Sequence, residues 1–223
     1  MGGDITRTLE NLPGFLGSGD FAKGKVHKLI TIGTPHLGSP LASQLLQANN
    51  SCTRDLMARS PAGNVAIVTA TVDGVPAVGG GIGDLQPGSA ALGFANTNGH
   101  NVPTALLAGQ ATSANFAGLT STGCLGARYI RHHCGTDPLA QNLTSTGWSQ
   151  VFAGQASDAI VPVGSELAGQ GGNAPLFGFV HSGGLVGGLA LCFTGPTELD
   201  ANTFPNQVIN LLNANVASFR ILP

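Results

Sequence analysis

Charge is what this sequence has least of. Asp, Glu, Lys and Arg make up 9% of its 223 residues, against about 25% in an ordinary soluble domain. Only 9 residues are Lys or Arg and the formal net charge is −2. No basic surface is available to neutralise phosphates, so nucleic acid is not an expected partner. Long apolar runs are missing too: nothing approaches the roughly 20 residues that a membrane helix needs. The apolar stretch from Phe179 to Phe193 is broken by four glycines, a His and a Ser. Met1-Gly2-Gly3-Asp4 has neither the basic start nor the apolar segment of a signal peptide. There is no CxxC spacing and no internal repeat.

Gly, Ala, Ser, Thr and Asn take the place of the charges, and the hydrophobic content of 42% argues against disorder. The length suits one domain with a real core. Cys52, Cys124, Cys134 and Cys192 are an even number, which fits two disulfides in an oxidising compartment with three pairings open. Cys124 and Cys134 flank a short Arg- and His-rich stretch and are the preferred pair, leaving Cys52 with Cys192. The Lys-poor composition also points to a secreted or periplasmic protein. Cys124, His132, His133 and Cys134 fit no standard zinc pattern, because adjacent ligands on one short element do not close a tetrahedron easily. No metal and no cofactor is expected.

Apolar residues at Ile5, Leu9, Leu12 and Leu16 form a helical stripe over Asp4–Leu16. Val26–Ile32 reads as a buried strand closed by Gly33-Thr34-Pro35. Pro40 to about Met57 is a second helix, with Pro40 suited to its first turn. Val65–Val72 has strand composition within a Gly/Pro-rich region, and 52–82 is expected to form a lid. Val102–Ala108 is a further strand. The polar, Gly-rich stretch 112–157 reads as an insertion, and Pro205 to about Phe219 as a final amphipathic helix with Val208, Leu211, Leu212 and Val216 in register. Alternating strands and helices predict a single α/β domain over 1–223 with a mostly parallel sheet.

Three segments carry chemistry. Met1-Gly2-Gly3 leads into the first helix. Lys28-Leu29-Ile30-Thr31-Ile32-Gly33-Thr34-Pro35-His36-Leu37-Gly38-Ser39 follows, then Asp84-Leu85-Gln86-Pro87-Gly88-Ser89 and the strand Val102–Gly109. Ser157-Asp158-Ala159-Ile160-Val161-Pro162-Val163-Gly164-Ser165 and Val180-His181-Ser182 come last. Taken in this order, they resemble a bacterial lipase or esterase of the α/β-hydrolase superfamily, whose nucleophile sits in a Gly-His-Ser-Met-Gly-Gly elbow followed by a helix. The resemblance spans most of the chain and is thin across 52–82 and 112–156. It implies that the chain is the C-terminal part of such a fold, starting at the Met of the elbow, one residue past the serine.

The resemblance also implies the roles. His181 would be the base that takes the serine proton as it attacks an ester carbonyl. Asp158 would accept from the other ring nitrogen, fix the tautomer and stabilise the imidazolium. The oxyanion hole would use the backbone N–H after the nucleophile, which is that of Met1. The expected substrate is an apolar or acyl-lipid ester, and the chain as it stands is expected to be inactive without its nucleophile.

Other readings of the same residues are weaker. Ser182 lies in an elbow-like Val-His-Ser-Gly-Gly, yet no histidine follows it. Ser39 follows a loop rather than forming a strand-to-helix elbow. His36 reads as structural, and His27 and His100 carry no signal. Asn142-Leu143-Thr144 and Asn49-Asn50-Ser51 match glycosylation acceptors, a pattern common by chance. A non-catalytic secreted binding protein on a hydrolase remnant, an acyltransferase using the same triad, and an unrelated Gly-rich β protein are the competing functional classes.

Overall fold

The computed structural model describes residues 2–12, 26–58, 70–72, 75–77, 80–96, 102–171, 174–181, 185–186, 189–199 and 202–222. It is a mixed helix-and-strand structure whose sheets are small. Helix α1 (Gly2–Glu10) leads to strand β1 (Leu29–Ile32), where two Ile and a Thr favour an extended backbone. Gly33 ends the strand at φ +58, a conformation that costs glycine little. Helix α2 (Pro40–Leu46) starts on Pro40, with the side chain of its N-cap Ser39 accepting from the Leu41 N–H.

The continuous helix expected from Pro40 to Met57 is broken. After α2 the chain is extended at Gln47, makes a 3-10 turn at Ala48–Asn50, and restarts as α3 (Ser51–Ala58). The break has a polar cause. Buried Asn50 donates to the Gln44 carbonyl at 2.8 Å and accepts from Leu139 N at 2.9 Å, so its amide competes with the helix ladder. A two-stranded hairpin, β2 (Ala70–Val72) with β3 (Val75–Ala77), precedes the short helices α4 (Gly80–Asp84) and α5 (Ala90–Asn96). Residues 59–69, which hold most of the strand expected at 65–72, lie outside the described residues.

Strand β4 (Pro103–Leu107) is the centre of the main sheet. It pairs in parallel with β1, in the register Leu29 with Thr104 through Ile32 with Leu107. On its other side it pairs antiparallel with β5 (Arg220–Ile221). Pro103 is tolerated because it is the first residue of its strand. The helix α10 (Thr203–Asn213) is shorter than the expected Pro205–Phe219, with a separate 3-10 turn at Val216–Ser218. Lys28 causes the stop to hold: its Nζ donates to the carbonyls of Leu212 and Ala214 at 3.2 and 2.6 Å, a cation at the helix C-terminus.

The largest core lies under 112–157, whose composition conceals it. Helices α6 (Ser113–Phe116), α7 (Leu125–His133) and α8 (Pro138–Gln141) with the 3-10 turns Ala117–Thr120 and Trp148–Phe152 contribute Phe116, Leu119, Ile130, Leu139, Trp148 and Phe152. Leu41, Leu45, Leu56 and Met57 from α2 and α3 complete it. Two disulfides staple this body, Cys52–Cys134 and Cys124–Cys192. The expected pairing is thereby corrected. Cys124 and Cys134 flank the nine-residue helix α7 at its two caps, about 15 Å apart by helical rise, beyond the reach of one disulfide. Two such disulfides are compatible with an oxidising environment. Among the described residues, no helix is long and apolar enough to cross a membrane.

Helix α1 is turned opposite to its apolar stripe. Asp4, Arg7 and Glu10 are buried, while Ile5 and Leu9 stand exposed. The polar face wins because it finds partners: Asp4 Oδ1 lies 3.3 Å from His36 Nδ1, and Arg7 Nη1 donates to Asn96 Oδ1 of α5. Leu16 lies outside the described residues.

Candidate functional site

Asp158 sits in a tight loop between Ser157 and Pro162, which bridge each other. Its own N–H donates to the Val161 carbonyl at 3.0 Å. Its Oδ1 accepts from the N–H groups of Ile160 and Val161 at 2.8 and 2.6 Å. One carboxylate oxygen is thus fixed by the backbone, and the other is aimed outward. The loop is braced from the core, where Trp148 donates its indole N–H to the Ala159 carbonyl at 2.9 Å. Ala159 pays for the tight turn with φ +82, a left-handed conformation unusual for a residue with a Cβ.

The free oxygen of Asp158, Oδ2, lies 2.5 Å from Nδ1 of His181. Asp158 is fully buried, while the His181 side chain is 31% exposed. The His181 N–H also donates to the Asp158 carbonyl at 2.8 Å, so backbone and side chain both hold the two segments in register. Asp158 and His181, the acid and base expected from the sequence, are therefore brought together across a sequence separation of 23.

With Nδ1 engaged, Nε2 is the nitrogen left to act. His181 lines a cavity of about 340 Å³ whose other walls, Ser39 apart, are apolar, among them Pro35, Leu41, Leu45, Ile82, Leu85 and Ile160. Burial alone lowers the affinity of His181 for a proton. The Asp158 hydrogen bond, the Asp158 charge and the Glu198 charge outweigh it and hold the imidazole above its ordinary range.

The start of α1 approaches the same place. A Cβ on Gly3 would fall 2.6 Å from Thr34 Oγ1 and 2.8 Å from Thr31 Cγ2, so only glycine lets the helix pack this closely on β1 and its loop. The next residue back, Gly33, lies against His181: a Cβ there would sit 2.7 Å from its Nδ1. Met1, the expected oxyanion donor, and Ser182, the rival nucleophile, lie outside the described residues.

His36 is fully buried at a different place. Its Nε2 meets Thr31 Oγ1 at 3.1 Å, its Nδ1 faces Asp4, and its carbonyl accepts from Asn96. Burial, against the opposing pull of Asp4, holds its imidazole below the ordinary value. It ties α1, β1 and α5 together. Ser39 is similarly occupied, since its hydroxyl donates to the Ile160 carbonyl at 2.5 Å and links α2 to the acid loop. The sulfurs of Cys124 and Cys134 belong to different disulfides.

Two buried carboxyl groups at the site escaped the sequence reading. Glu198 Oε2 lies 3.6 Å from His181 Nδ1. Glu166, at the end of the short helix α9 (Val163–Glu166), accepts from the Gly109 N–H at 2.9 Å. Burial first, and then the neighbouring Asp158 charge, push Glu198 up to about 7. Burial with the charges of Asp158 and Glu198 drives Glu166 up as well. A signal existed in retrospect: acidic residues are scarce here, and Glu166 stands eight positions after Asp158 in an apolar context.

Asp158, His181 and Glu198 place three ligand-type atoms within 4.8 Å of one another. The arrangement is better described as a hydrogen-bonded acid–base pair with a third charged neighbour. Comparison with family models, with curated proteins and with solved structures gave no match to this chain.

Proposed function

We propose that this chain carries the acid and base of a serine-type carboxylic-ester hydrolase acting on apolar acyl esters. The observation that carries the reading is the Asp158–His181 hydrogen bond at the rim of an apolar cavity. A carboxylate that fixes the imidazole tautomer, and an imidazole whose second nitrogen faces the substrate space, are what proton transfer from a serine hydroxyl requires. The cavity is suited to the hydrocarbon part of an ester, because its lining offers apolar contact and little to hydrogen-bond.

In this reading the nucleophile precedes Met1 and is delivered at the N-terminal end of α1. The close packing of Gly3 on Thr34, and of Gly33 on His181, supports that position. The parallel β1–β4 pair with α1 against it is compatible with the part of an α/β-hydrolase that follows its elbow. The resemblance of the Thr34-Pro35-His36-Leu37-Gly38 and Ser157-Asp158 segments to bacterial lipases points the same way. Two disulfides favour a secreted or periplasmic protein.

The test is covalent labelling. The chain extended through its native upstream coding sequence, treated with a phosphonate ester, should be modified on a serine immediately before Met1. Modification of Ser39 or Ser182 instead, or of no serine, would overturn the assignment.

A further inference from the structure

Behind the Asp158–His181 pair lies a carboxyl pair that the triad chemistry does not use. Glu198 is brought there by strand-like pairing, with its N–H donating to the Val180 carbonyl at 3.0 Å, one residue before His181. Two glycines make room for its side chain. A Cβ on Gly33 would collide with Glu198 Oε2, and a Cβ on Gly109 would fall 2.5 Å from Oε1. The Gly109 N–H in turn points at Glu166 Oε2. Glu166 and Glu198 are thus packed around one peptide group.

The two side chains meet at Gly109, whose N–H donates to Glu166 and whose missing Cβ leaves space for Glu198 Oε1. Oε1 of each is buried and receives no N–H or hydroxyl from elsewhere among the described residues. Two carboxylate oxygens attract each other only with a proton between them, and two buried like charges in contact do not both ionise. The charged neighbours of the pair are Asp158 and His181. Of the two, Glu198 faces the imidazole, at 3.6 Å.

We propose that Glu198 is a second carboxylate partner of His181, a positioning residue held ionised and in place by a proton that Glu166 donates to it. The imidazole then has two anions on its Nδ1 side. Its protonated form is stabilised by both, and Nε2 becomes the stronger base. The catalytic consequence rests on the ester-hydrolase reading; the proton arrangement does not.

The experiment therefore needs no turnover. The His181 imidazole is titrated by NMR in the full chain, and protonated carboxyl groups are counted by difference infrared spectroscopy at pH 8. Glu198→Gln removes the second anion and should lower the proton affinity of His181 about tenfold. Glu166→Gln keeps a donor to Glu198 and should leave that affinity within about threefold, while deleting one protonated-carboxyl band. Glu166→Leu, which has no donor, should lower the His181 affinity as Glu198→Gln does. An unchanged His181 titration in Glu198→Gln, or no protonated carboxyl at pH 8 in the parent chain, would overturn the proposal. If these shifts appear while the extended chain hydrolyses no ester, only the functional reading falls.

Discussion

Nδ1 of His181 lies 2.5 Å from Oδ2 of Asp158, and the other oxygen of that carboxylate is held by two backbone N–H groups. An acid fixed at one oxygen and free at the other can orient an imidazole without being drawn away from it. Asp158→Asn keeps the shape but removes the charge. It should lower the proton affinity of His181 and, in the extended chain, reduce kcat for a p-nitrophenyl ester by about 10⁴-fold, as expected for a triad acid. NMR titration of His181 and steady-state kinetics check the two parts separately.

The indole of Trp148 braces that loop through the Ala159 carbonyl. Trp148→Phe keeps an aromatic ring in the core but leaves this buried carbonyl without its donor, at a cost of about 1–3 kcal/mol. A urea unfolding series should show the loss as a lower midpoint. The His181 titration should broaden or shift, because the strained turn at Ala159 is no longer tied down. A midpoint equal to that of the parent chain would show that the brace is idle.

The Asp158–His181 pair was legible in the sequence because each residue sits in a short local motif. The strand at Val102–Ala108 and the start of α2 at Pro40 were legible for the same reason, since local turn chemistry and β-branched runs decide them. What sequence could not supply was set at a distance. The break at Gln47 depends on Asn50 meeting Leu139. The face that α1 buries depends on Asp4 meeting His36 and Arg7 meeting Asn96, partners more than thirty residues away. Glu166 and Glu198 carry no motif at all; they become a pair only when Gly33 and Gly109 admit them.

Disulfide pairing is set at a distance too: Cys124 and Cys134 are near in sequence but cap opposite ends of α7. Peptide mapping under non-reducing conditions should recover Cys52 linked to Cys134 and Cys124 linked to Cys192. A peptide joining Cys124 to Cys134 would contradict the placement of α7. Replacing Cys52 and Cys134 together by Ala opens a link that spans 82 residues and should cost about 2–4 kcal/mol of stability.

Stability should also depend on pH through Glu198. Its ionisation in the folded protein is raised from 4.5 to about 7, so the folded state binds this proton more tightly than the unfolded chain. The stabilisation is fully present below about pH 4.5 and is lost as pH rises through about 7, amounting to at most about 3 kcal/mol. His181, also raised, adds a loss in the same direction above its ordinary value. Burial of neutral His36 acts oppositely, and its contribution is lost as pH falls below the ordinary histidine value. Comparing Tm for the parent and Glu198→Gln from pH 4.5 to 8 isolates the Glu198 part. The parent should lose ground to the variant as pH rises, and a constant difference would contradict the raised value.

We propose His181, oriented by Asp158, as the base of an ester hydrolase whose nucleophile enters beside α1. The most direct measurement is turnover of a short-chain p-nitrophenyl ester by the chain extended through its native upstream sequence, with and without His181→Ala. Turnover by the extended chain and a loss of at least about 10³-fold in the variant are expected. Turnover that survives His181→Ala undiminished would contradict it.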